Sequence, residues 1–511
     1  MELNILKQDI GITNKIFSQM AEQSIDLDFS LPEYYPKINK VLKCMAKPRI
    51  SANAINGQIL NIEGNINIVL LYITDTTEIC SFEYILPFSR TFEFEGDAGN
   101  CLPDCSVREE YINCRLLDER SVELHGAIGI SAGIVRRDAK QVICDVEGGD
   151  VVLNRGMAEA TSPIGIAEKC LLIEEELELG NGQPSIRHIL RYDAKAVKTD
   201  CKIIGSKVVV RGELKVFTLY CGEQTSTPQV LRSAVPFSQI IDIPDINDMC
   251  ECDCTVSVAN LEIKPRTSIT GECRTLSLSA KVRFCASATC DNDVPVVYDA
   301  FSTKYETDIT LDDILFEKIF KTVNKNFICK HNVEVSAGGI GTIIDLWCEP
   351  QNLVCKIENE ELHASGNLMV YILAYDSENC PAYYERSVEF EFCHVVKNSN
   401  SNMKCRADAT VNNVSYTILS NNTIEVCAEL NINAGVYSQS RIAAVREIRV
   451  CEDTLKPKKR DSAMIIYYAD VGEKLWDIAR KYNSAPDEIA EINSLESEVL
   501  ATNKVLLIPV K

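Results

Sequence analysis

The sequence has few of the residues on which catalysis, nucleic-acid binding or membrane insertion usually depends. Its 511 residues include only five histidines and two tryptophans, and no glycine-rich phosphate-binding loop is present. No run of 18 apolar residues occurs, so no membrane span is expected. Basic residues are also scarce: 52 lysines and arginines stand against 74 aspartates and glutamates, a formal net charge of −22. A chain this acidic is a poor partner for nucleic acid or for an anionic membrane.

An export signal is also missing from the first residues, and this bears on the 23 cysteines. Glu2, Lys7 and Asp9 interrupt the start of the chain, which has no continuous apolar segment of the kind that a signal peptide needs. The cysteine count is odd, and the density is below that of a small disulfide scaffold. We therefore expect a cytoplasmic protein whose cysteines are free thiols in a reducing compartment.

The chain repeats itself. At roughly 150 residues per domain its length predicts three to four domains, and self-comparison gives three diverged copies before residue 455. The first copy recurs 148 positions later and, in part, a further 154 positions along. A Pro-Phe-Ser segment at 87–89 recurs at 236–238 and becomes Glu-Phe-Glu at 389–391. Other matches are Pro36, Leu42, Gly64 and Tyr72 with Pro184, Leu190, Gly212 and Tyr220, and with Ile344 and Gly366 in the third copy.

Each copy has the alternation of β-strands. After the shared glycine, apolar residues such as Ile66, Ile68 and Leu70 alternate with other residues, which is the period of a strand with one buried face. The glycine in mid-strand suggests a bulge or a close backbone approach. Within the repeats the best helical candidate is Asp312 to Lys321. We therefore predict a mainly β fold with three tandem β-rich repeats, each a sandwich or a barrel-like sheet.

A different kind of module closes the chain. We place the repeats at 1–165, 166–318 and 319–452, a charged linker at 453–463, and this module at 464–511. Its apolar residues change to helical spacing, which predicts two helices between short strands in the order β-α-α-β. The helices are expected to bury Leu475, Ile478, Ala479 and Tyr482, then Ile489 and Ile492, with Ser484 as N-cap and Pro486 in the first turn. The strands are predicted from Ile465 to Tyr468 and from Val505 to Ile508.

Several residues of this module have the spacing typical of LysM domains, which it resembles. They are Tyr468, Gly472, Leu475-Trp476, Ile478-Ala479, Tyr482, Ile489, Asn493 and Leu507-Ile508-Pro509. The resemblance implies binding of N-acetylglucosamine polymers such as peptidoglycan, in a groove between the loops Val471 to Leu475 and Asn493 to Val499. Two departures from the family pattern argue against glycan: Gly472-Glu473-Lys474 replaces Gly-Asp-Thr, and Ala501-Thr502-Asn503 replaces Pro-Gly. The candidate partner- or glycan-binding residues are Gly472, Lys474, Leu475, Trp476, Asn493 and Leu495.

The repeats carry a Leu-Pro segment at 31–32, the mid-strand glycine, Leu71-Tyr72 or Leu219-Tyr220, and Pro-Phe-Ser. In these features they resemble the SPOCS domain of clostridial spore-coat morphogenetic proteins, in which tandem copies end in a LysM domain. The resemblance implies a non-enzymatic scaffold or adaptor in the mother-cell cytoplasm, at the forespore surface and coat. It also implies spore-coat morphogenetic proteins as partners, with the LysM domain contacting the ATPase-like protein of the basal coat layer. The alternative is a peptidoglycan-binding protein that acts through its LysM domain.

Trp476 is the sharpest candidate for a contact with such a partner. A LysM domain without an export signal does not ordinarily meet peptidoglycan, which favours a protein partner. Trp476 lies one position from the buried stripe of Leu475 and Ile478, and tryptophan is enriched among interface hot spots. The alternative is that its ring covers the small core of the domain. Lys474 and Lys504 either frame the ring with positive charge or are simply solvated.

The remaining motifs predict neither an enzyme nor a cofactor. The Gly-Ile-Ser-Ala-Gly segment at 129–133 matches a nucleophile elbow, but it lies inside an alternating strand and is interpreted as a chance match. Cys250, Cys252 and Cys254 would share one face of a strand, where three thiolates and a fourth ligand could hold zinc. The alternative is that they are small buried strand residues. Cys393-His394 has no second ligand pair at a useful spacing and is interpreted as core or surface.

Overall fold

Strands make up most of the molecule, as the alternating patterns predict, and the only two helices of its described part lie near the C-terminus. The computed structural model describes residues 3–97, 99, 101–148, 150–223, 225, 227–268, 271–335, 338–456 and 463–509. Within these ranges, only the backbone is described at positions 13, 137 and 452. No helix among these residues is long and apolar enough to cross a membrane.

Each repeat consists of six strands, and the C-terminal module has the predicted order β-α-α-β. The first repeat contains β1 (Asn4–Ser30), β2 (Lys40–Asn56), β3 (Ile59–Ile73), β4 (Ile79–Glu93), β5 (Cys101–Leu116) and β6 (Ser121–Glu147). The second contains β7 (Val151–Glu178), β8 (Ile186–Ile204), β9 (Lys207–Gly222), β10 (Gln229–Asp242), β11 (Glu251–Thr267) and β12 (Cys273–Ser302). The third contains β13 (Tyr305–Glu334), β14 (Thr342–Glu358), β15 (Glu361–Tyr375), β16 (Pro381–Val395), β17 (Lys404–Ser420) and β18 (Thr423–Leu455). The module contains β19 (Met464–Ala469), α1 (Leu475–Tyr482), α2 (Pro486–Asn493) and β20 (Lys504–Pro509).

Every repeat has the same topology of two three-stranded antiparallel sheets. In the first repeat the sheet orders are β2-β3-β4 and β1-β6-β5, and the second and third repeats reproduce both orders strand for strand. A hydrophobic core between the two sheets draws on all six strands of its repeat. The repeats are therefore sandwiches, which decides between the two architectures that the sequence left open.

Two details of the sequence interpretation are wrong. Asp312 to Lys321 is not a helix but part of β13, whose inward-facing Ile314 and Phe316 are buried while Leu315 is exposed. A register shift between Ile319 and Lys321 interrupts the alternation there, and the resulting spacing imitates a helix. The predicted repeat boundaries at 165/166 and 318/319 cut through β7 and β13, because each repeat begins with a strand longer than the patterns indicated.

The shared mid-strand glycine marks a close approach, as predicted. Gly64, Gly212 and Gly366 lie opposite Phe88, Phe237 and Phe390 on the neighbouring strand. A Cβ on Gly64 would lie 2.2 Å from the Arg49 carbonyl oxygen and 2.4 Å from the Phe88 ring. The phenylalanine covers the space that the glycine leaves, so the pair is retained even where the third repeat loses the proline and serine around it.

The three repeats pack around a shared central cluster. We define it by Leu71, Leu219 and Leu373, which occupy equivalent positions of β3, β9 and β15 and are fully buried. The inter-repeat offsets found in the sequence therefore correspond to a threefold arrangement in space. Additional buried members of the central cluster are Met45, Val69, Ile79, Leu190, Cys221 and Tyr375.

A second shared core lies away from the central cluster, where the first and last strands of each repeat extend past their own sandwich. These six long strands form three two-stranded ribbons, β1 with β6, β7 with β12, and β13 with β18. The ribbons pack together through Ile10, Val142, Val296, Ile314 and Phe316, all buried. Because each repeat contributes to both shared cores, the three sandwiches form one body.

A buried ion pair joins the second repeat to the third. Nη2 of Arg191 lies 2.7 Å from Oδ2 of Asp345, and the side chains are only 4% and 2% exposed. The Arg191 guanidinium also lies over two rings, 3.9 Å from the centroid of Trp347 and 4.8 Å from that of Phe217. Such stacking is typical of arginine in a dry environment.

Other charged contacts join the first repeat to its two neighbours. Lys47 and Arg49 both contact the carboxylate of Asp193 in the second repeat. Burial raises the pKa of Asp193, but the two cations outweigh it and hold that pKa at about 2. Lys43 contacts Glu385 in the third repeat. All three repeat pairs are therefore bridged by opposite charges.

Candidate functional site

The C-terminal module has a small core that agrees with most of the predicted helical pattern. Leu475, Ile478 and Ala479 of α1 and Ile489 of α2 are buried against the two-stranded sheet of β19 and β20. Two details differ from the prediction. The N-cap of α2 is Ala485 and not Ser484, and Ile492 faces outward with 40% exposure. The helix begins one residue later than predicted because Ser484 is itself buried, and its backbone N–H donates to Ala479 at the end of α1.

The side chain of Trp476, the predicted partner contact, packs against the second repeat of the same chain. Its ring meets that of Phe301 edge-on, with 5.0 Å between centroids, and its Nε1–H donates to Oδ2 of Asp299 at 2.9 Å. Arg480, one turn further along α1, donates to the same oxygen at 2.6 Å. Phe301 and Asp299 lie at the end of β12, so α1 docks the module onto the second repeat.

Lys456 fastens the same junction from the end of the third repeat. Its Nζ donates to the carbonyl of Ser302 at 3.0 Å and to Oδ1 of Asn483 at 3.1 Å, and it lies 5.6 Å from the Phe301 ring. Burial is the main cause that lowers the pKa of Lys456. The predicted linker at 453–463 is therefore shorter than expected, because β18 continues to Leu455; residues 457–462 lie outside the described residues.

The two loops of the predicted groove are bonded to each other through their backbones. Gly472 N–H donates to Leu500 at 2.8 Å, Leu475 N–H donates to Glu498 at 2.8 Å, and Leu500 N–H donates to Glu473 at 3.0 Å. Glu473 stands where the family usually has aspartate, and its carboxylate accepts from the backbone of Asp470 and the hydroxyl of Tyr467. The Asp470 N–H is the main cause that lowers the pKa of Glu473.

The predicted site residues divide into those turned inward and those left on the surface. Leu475 is a core residue. Asn493 has its amide occupied, because Nδ2 donates to Ile489 and Leu507 carbonyls and Oδ1 accepts from Leu507 N–H, each at 2.8 Å. Gly472 and Lys474 are exposed, and Leu495 is half-buried against the core. The binding role of all six candidates stays a prediction.

An apolar surface that the sequence interpretation missed lies on the face of β19 and β20 that is turned away from the core of the module. Outward-facing residues of β19 and β20 are paired directly, Ile466 with Leu507 and Tyr468 with Val505. Tyr468 is 78% exposed and Ile466 is 62% exposed. We call this set, together with Met464, the β19–β20 face. The sequence does contain a signal for this surface, because the residues from Met464 to Tyr468 are apolar on both faces of a strand. When one face is buried, the apolar residues of the other face remain exposed.

The cysteine cluster of the second repeat does not assemble a metal site. Cys252 and Cys254 point into the sandwich, as small strand residues would, and the Cys252 sulfur lies 3.6 Å from that of Cys201. Cys250 precedes the strand and its thiol donates to Asn247. Within the described residues these three do not come together as a group of potential ligands. The 129–133 segment lies wholly within β6, as predicted, and so lacks the strand-to-helix turn of a nucleophile elbow.

Comparison with known families agrees with this domain structure. The family model described as SipL, SPOCS domain, matches residues 37–117 and 185–266, which run from β2 to β5 and from β8 to β11. A LysM domain model matches residues 471–509. The third repeat, outside both SPOCS segments, has the same strand order. No curated protein and no solved structure matches the chain.

The chain therefore contains two segments that match the SPOCS domain and a C-terminal LysM domain, a combination that supports a sporulation-related protein. SPOCS segments followed by a C-terminal LysM domain are the combination expected of a SipL-like protein. Both domain families are non-catalytic.

Proposed function

We propose that this chain is a non-enzymatic scaffold and adaptor of the spore coat, working in the mother cell at the forespore surface. Its LysM domain would contact the ATPase-like protein of the basal coat layer, and its SPOCS repeats would offer further surfaces to coat proteins. The domain combination supports this assignment. Linked surfaces of this kind can sum several weak contacts into one strong attachment.

The docked position of the LysM domain supports the adaptor role. Trp476, Arg480 and Lys456 hold the domain against the body of repeats. A partner captured by a domain fixed in this way is held in a defined orientation to all three sandwiches. An adaptor that orders a layer benefits from this, because less freedom is lost in each later contact.

The β19–β20 face is the observation that carries the proposal, and it is the surface through which we expect the LysM–protein contact. Contiguous exposed apolar residues on a soluble domain mark protein interfaces. The groove side offers less, because Asn493 and the loop backbones are already hydrogen-bonded within the chain. Trp476 acts in this proposal by seating the domain and not by touching the partner.

The test is a pull-down of the basal-layer ATPase with the full chain, combined with fluorescence localisation in sporulating cells. Changing Tyr468→Glu and Leu507→Glu together places charge on the β19–β20 face and should weaken capture at least tenfold, since hot-spot losses of about 2 kcal/mol or more are common. Ile204→Glu, at an exposed residue of β8, is the matched control and should leave capture unchanged. If the double variant keeps its fold and still shows unaltered capture and localisation, the proposed contact is wrong.

A second candidate function is binding of N-acetylglucosamine polymers through the LysM groove. It is favoured by the LysM match and by the exposure of both Gly472 and Lys474 in the loop before α1. Titration calorimetry of the full chain with N-acetylglucosamine oligomers decides it. Heat that disappears in Lys474→Glu supports glycan binding at the groove, and no heat with the unaltered chain removes this candidate.

A further inference from the structure

His363, Glu391 and Cys393 come together on the outer face of the third repeat. His363 in β15 lies directly opposite Cys393 in β16, and Glu391 lies two residues before Cys393. Because side chains two apart on a strand share a face, all three donor groups point away from the sandwich core, whose buried residues in these strands are Leu362, Ala364 and Phe392.

The distances among the three donor atoms fit a tetrahedral ion. Nδ1 of His363 lies 3.2 Å from Sγ of Cys393 and 3.7 Å from Oε1 of Glu391, and the Cys393 sulfur lies 3.8 Å from that same oxygen. Bond lengths of about 2.3 Å to sulfur and about 2.0–2.2 Å to nitrogen and oxygen place the ligands of tetrahedral zinc roughly 3.4–3.6 Å apart. The observed separations differ from these by only a few tenths of an ångström.

A second carboxylate also lies near the far nitrogen of the imidazole, on the side where a metal-bound histidine usually has its outer-shell partner. While Nδ1 faces Cys393 and Glu391, Nε2 faces Oε2 of Glu361 at 3.7 Å. A carboxylate behind a ligating histidine fixes its ring orientation and raises the basicity of the ligating nitrogen. Lys356, opposite His363 on β14, does not compete for the cluster, because its Nζ pairs with Glu358 at 2.9 Å.

We propose that His363, Glu391 and Cys393 bind one divalent transition-metal ion of the zinc class, with Glu361 as a positioning residue. Thiolate and imidazole ligands favour zinc, cobalt, nickel or copper over magnesium and calcium. With three protein ligands the fourth position would be left to water. A bound ion would also tie the edge strand β16 to β15. This inference is independent of the proposed coat function.

The other two repeats provide an internal comparison. At the position of the His363–Cys393 pair, the second repeat has Val209 opposite Ile240 and the first has Asn61 opposite Thr91. Neither pair supplies a thiol or an imidazole. The site is therefore a property of the third repeat and not of the shared fold, and the sequence spacing of 30 residues between His363 and Cys393 hides it until the strand register is known.

The experiment titrates the reduced full chain with Co²⁺, which reports tetrahedral thiolate ligation through a sulfur-to-cobalt charge-transfer band, followed by displacement with Zn²⁺. One equivalent should bind, and His363→Ala and Cys393→Ser should each abolish the band or weaken binding at least tenfold. Glu361→Gln should weaken binding roughly tenfold while keeping the band, as outer-shell changes do. Cys380→Ser, at an exposed cysteine between the same two strands, is the control and should bind as the unaltered chain does.

Two results would overturn the site. One is the absence of a charge-transfer band in the unaltered chain. The other is an unchanged band and stoichiometry in Cys393→Ser, which would assign the cobalt to different cysteines. Circular dichroism and thermal unfolding of each variant keep loss of fold separate from loss of ligand, and His363, Glu391 and Cys393 all lie outside the sandwich core.

Discussion

Trp476 donates its indole N–H to Asp299, a residue 177 positions earlier in the chain, at 2.9 Å. This bond joins the LysM domain to the second repeat, and Arg480 donates to the same carboxylate oxygen. The position of Trp476, one residue from the buried stripe of α1, predicted a ring that is available to a partner. The ring packs against Phe301, so Trp476 holds the domain on the second repeat, and its predicted contact with a partner stays a prediction.

Asp299→Ala should therefore loosen the LysM domain without unfolding it. The change leaves the Trp476 N–H and the Arg480 guanidinium without their acceptor, which costs about 1–3 kcal/mol for a half-buried polar group. We expect faster hydrogen exchange at the amides of α1 and of Phe301. Asp293→Ala, an exposed aspartate of the same strand, is the control, and equal exchange in both variants would contradict the docking role.

The pair of Arg191 and Asp345 predicts a larger loss of stability. Removing one member of a buried pair leaves the other uncompensated and costs about 3–5 kcal/mol. Arg191→Met should accordingly lower the free energy of unfolding by about that amount, measured by urea denaturation, whereas Arg191→Met with Asp345→Leu should recover most of it. The exposed pair of Arg187 and Glu78 is the control, since Arg187→Met should cost about 1 kcal/mol or less. A double variant no more stable than the single one would contradict this account.

The mid-strand glycines predict a graded series of destabilisation. An added Cβ would lie 2.2 Å from a carbonyl oxygen at Gly64 and at Gly212, but 2.9 Å from one at Gly366. Overpacking of this kind costs about 1–3 kcal/mol or more. Gly64→Ala and Gly212→Ala should therefore lower the urea midpoint more than Gly366→Ala does. Equal midpoints in all three variants would show that the backbone relaxes around the new methyl group.

The repeats and their strands could be read from the sequence because alternation and the 148- and 154-residue offsets are local or periodic signals. The offsets even locate the central cluster, since Leu42, Leu190 and Ile344 line it at equivalent positions. What could not be predicted depends on register or on packing between distant segments. The segment from Asp312 to Lys321, for which the sequence predicted a helix, is an example. It belongs to β13, which pairs with β18 through a bulge, and the ribbon that they form packs against the two other ribbons.

The candidate sites show the same limit. The fold of the LysM domain follows from its helical stripe, but its docking on Asp299 has no local signal. The cluster of His363, Glu391 and Cys393 likewise depends on the register between β15 and β16, which the neighbouring residues in the sequence do not reveal. Cysteines in particular carry little information when 23 are spread along the chain.

One cysteine pair is nevertheless placed for covalent bonding. The sulfur atoms of Cys201 in β8 and Cys252 in β11 are 3.6 Å apart, across the seam between the two sheets of the second repeat. The hydrogen bond between the two thiols raises the pKa of Cys201 and lowers that of Cys252. Cys355 and Cys405 hold the equivalent positions of the third repeat and are also hydrogen-bonded.

Oxidised glutathione should convert Cys201 and Cys252 into a disulfide. One of the two cysteines attacks a glutathione sulfur as its thiolate and releases a first glutathione. The other cysteine then displaces the second glutathione, so two protons and two electrons leave the protein. Peptide mapping by mass spectrometry should find this cross-link before any that involves the exposed Cys170. Closing the seam should slow unfolding in urea, and Cys201→Ser should abolish both effects. A mixed disulfide with glutathione that persists on either cysteine of the unaltered chain would show that the two sulfurs do not reach bonding distance.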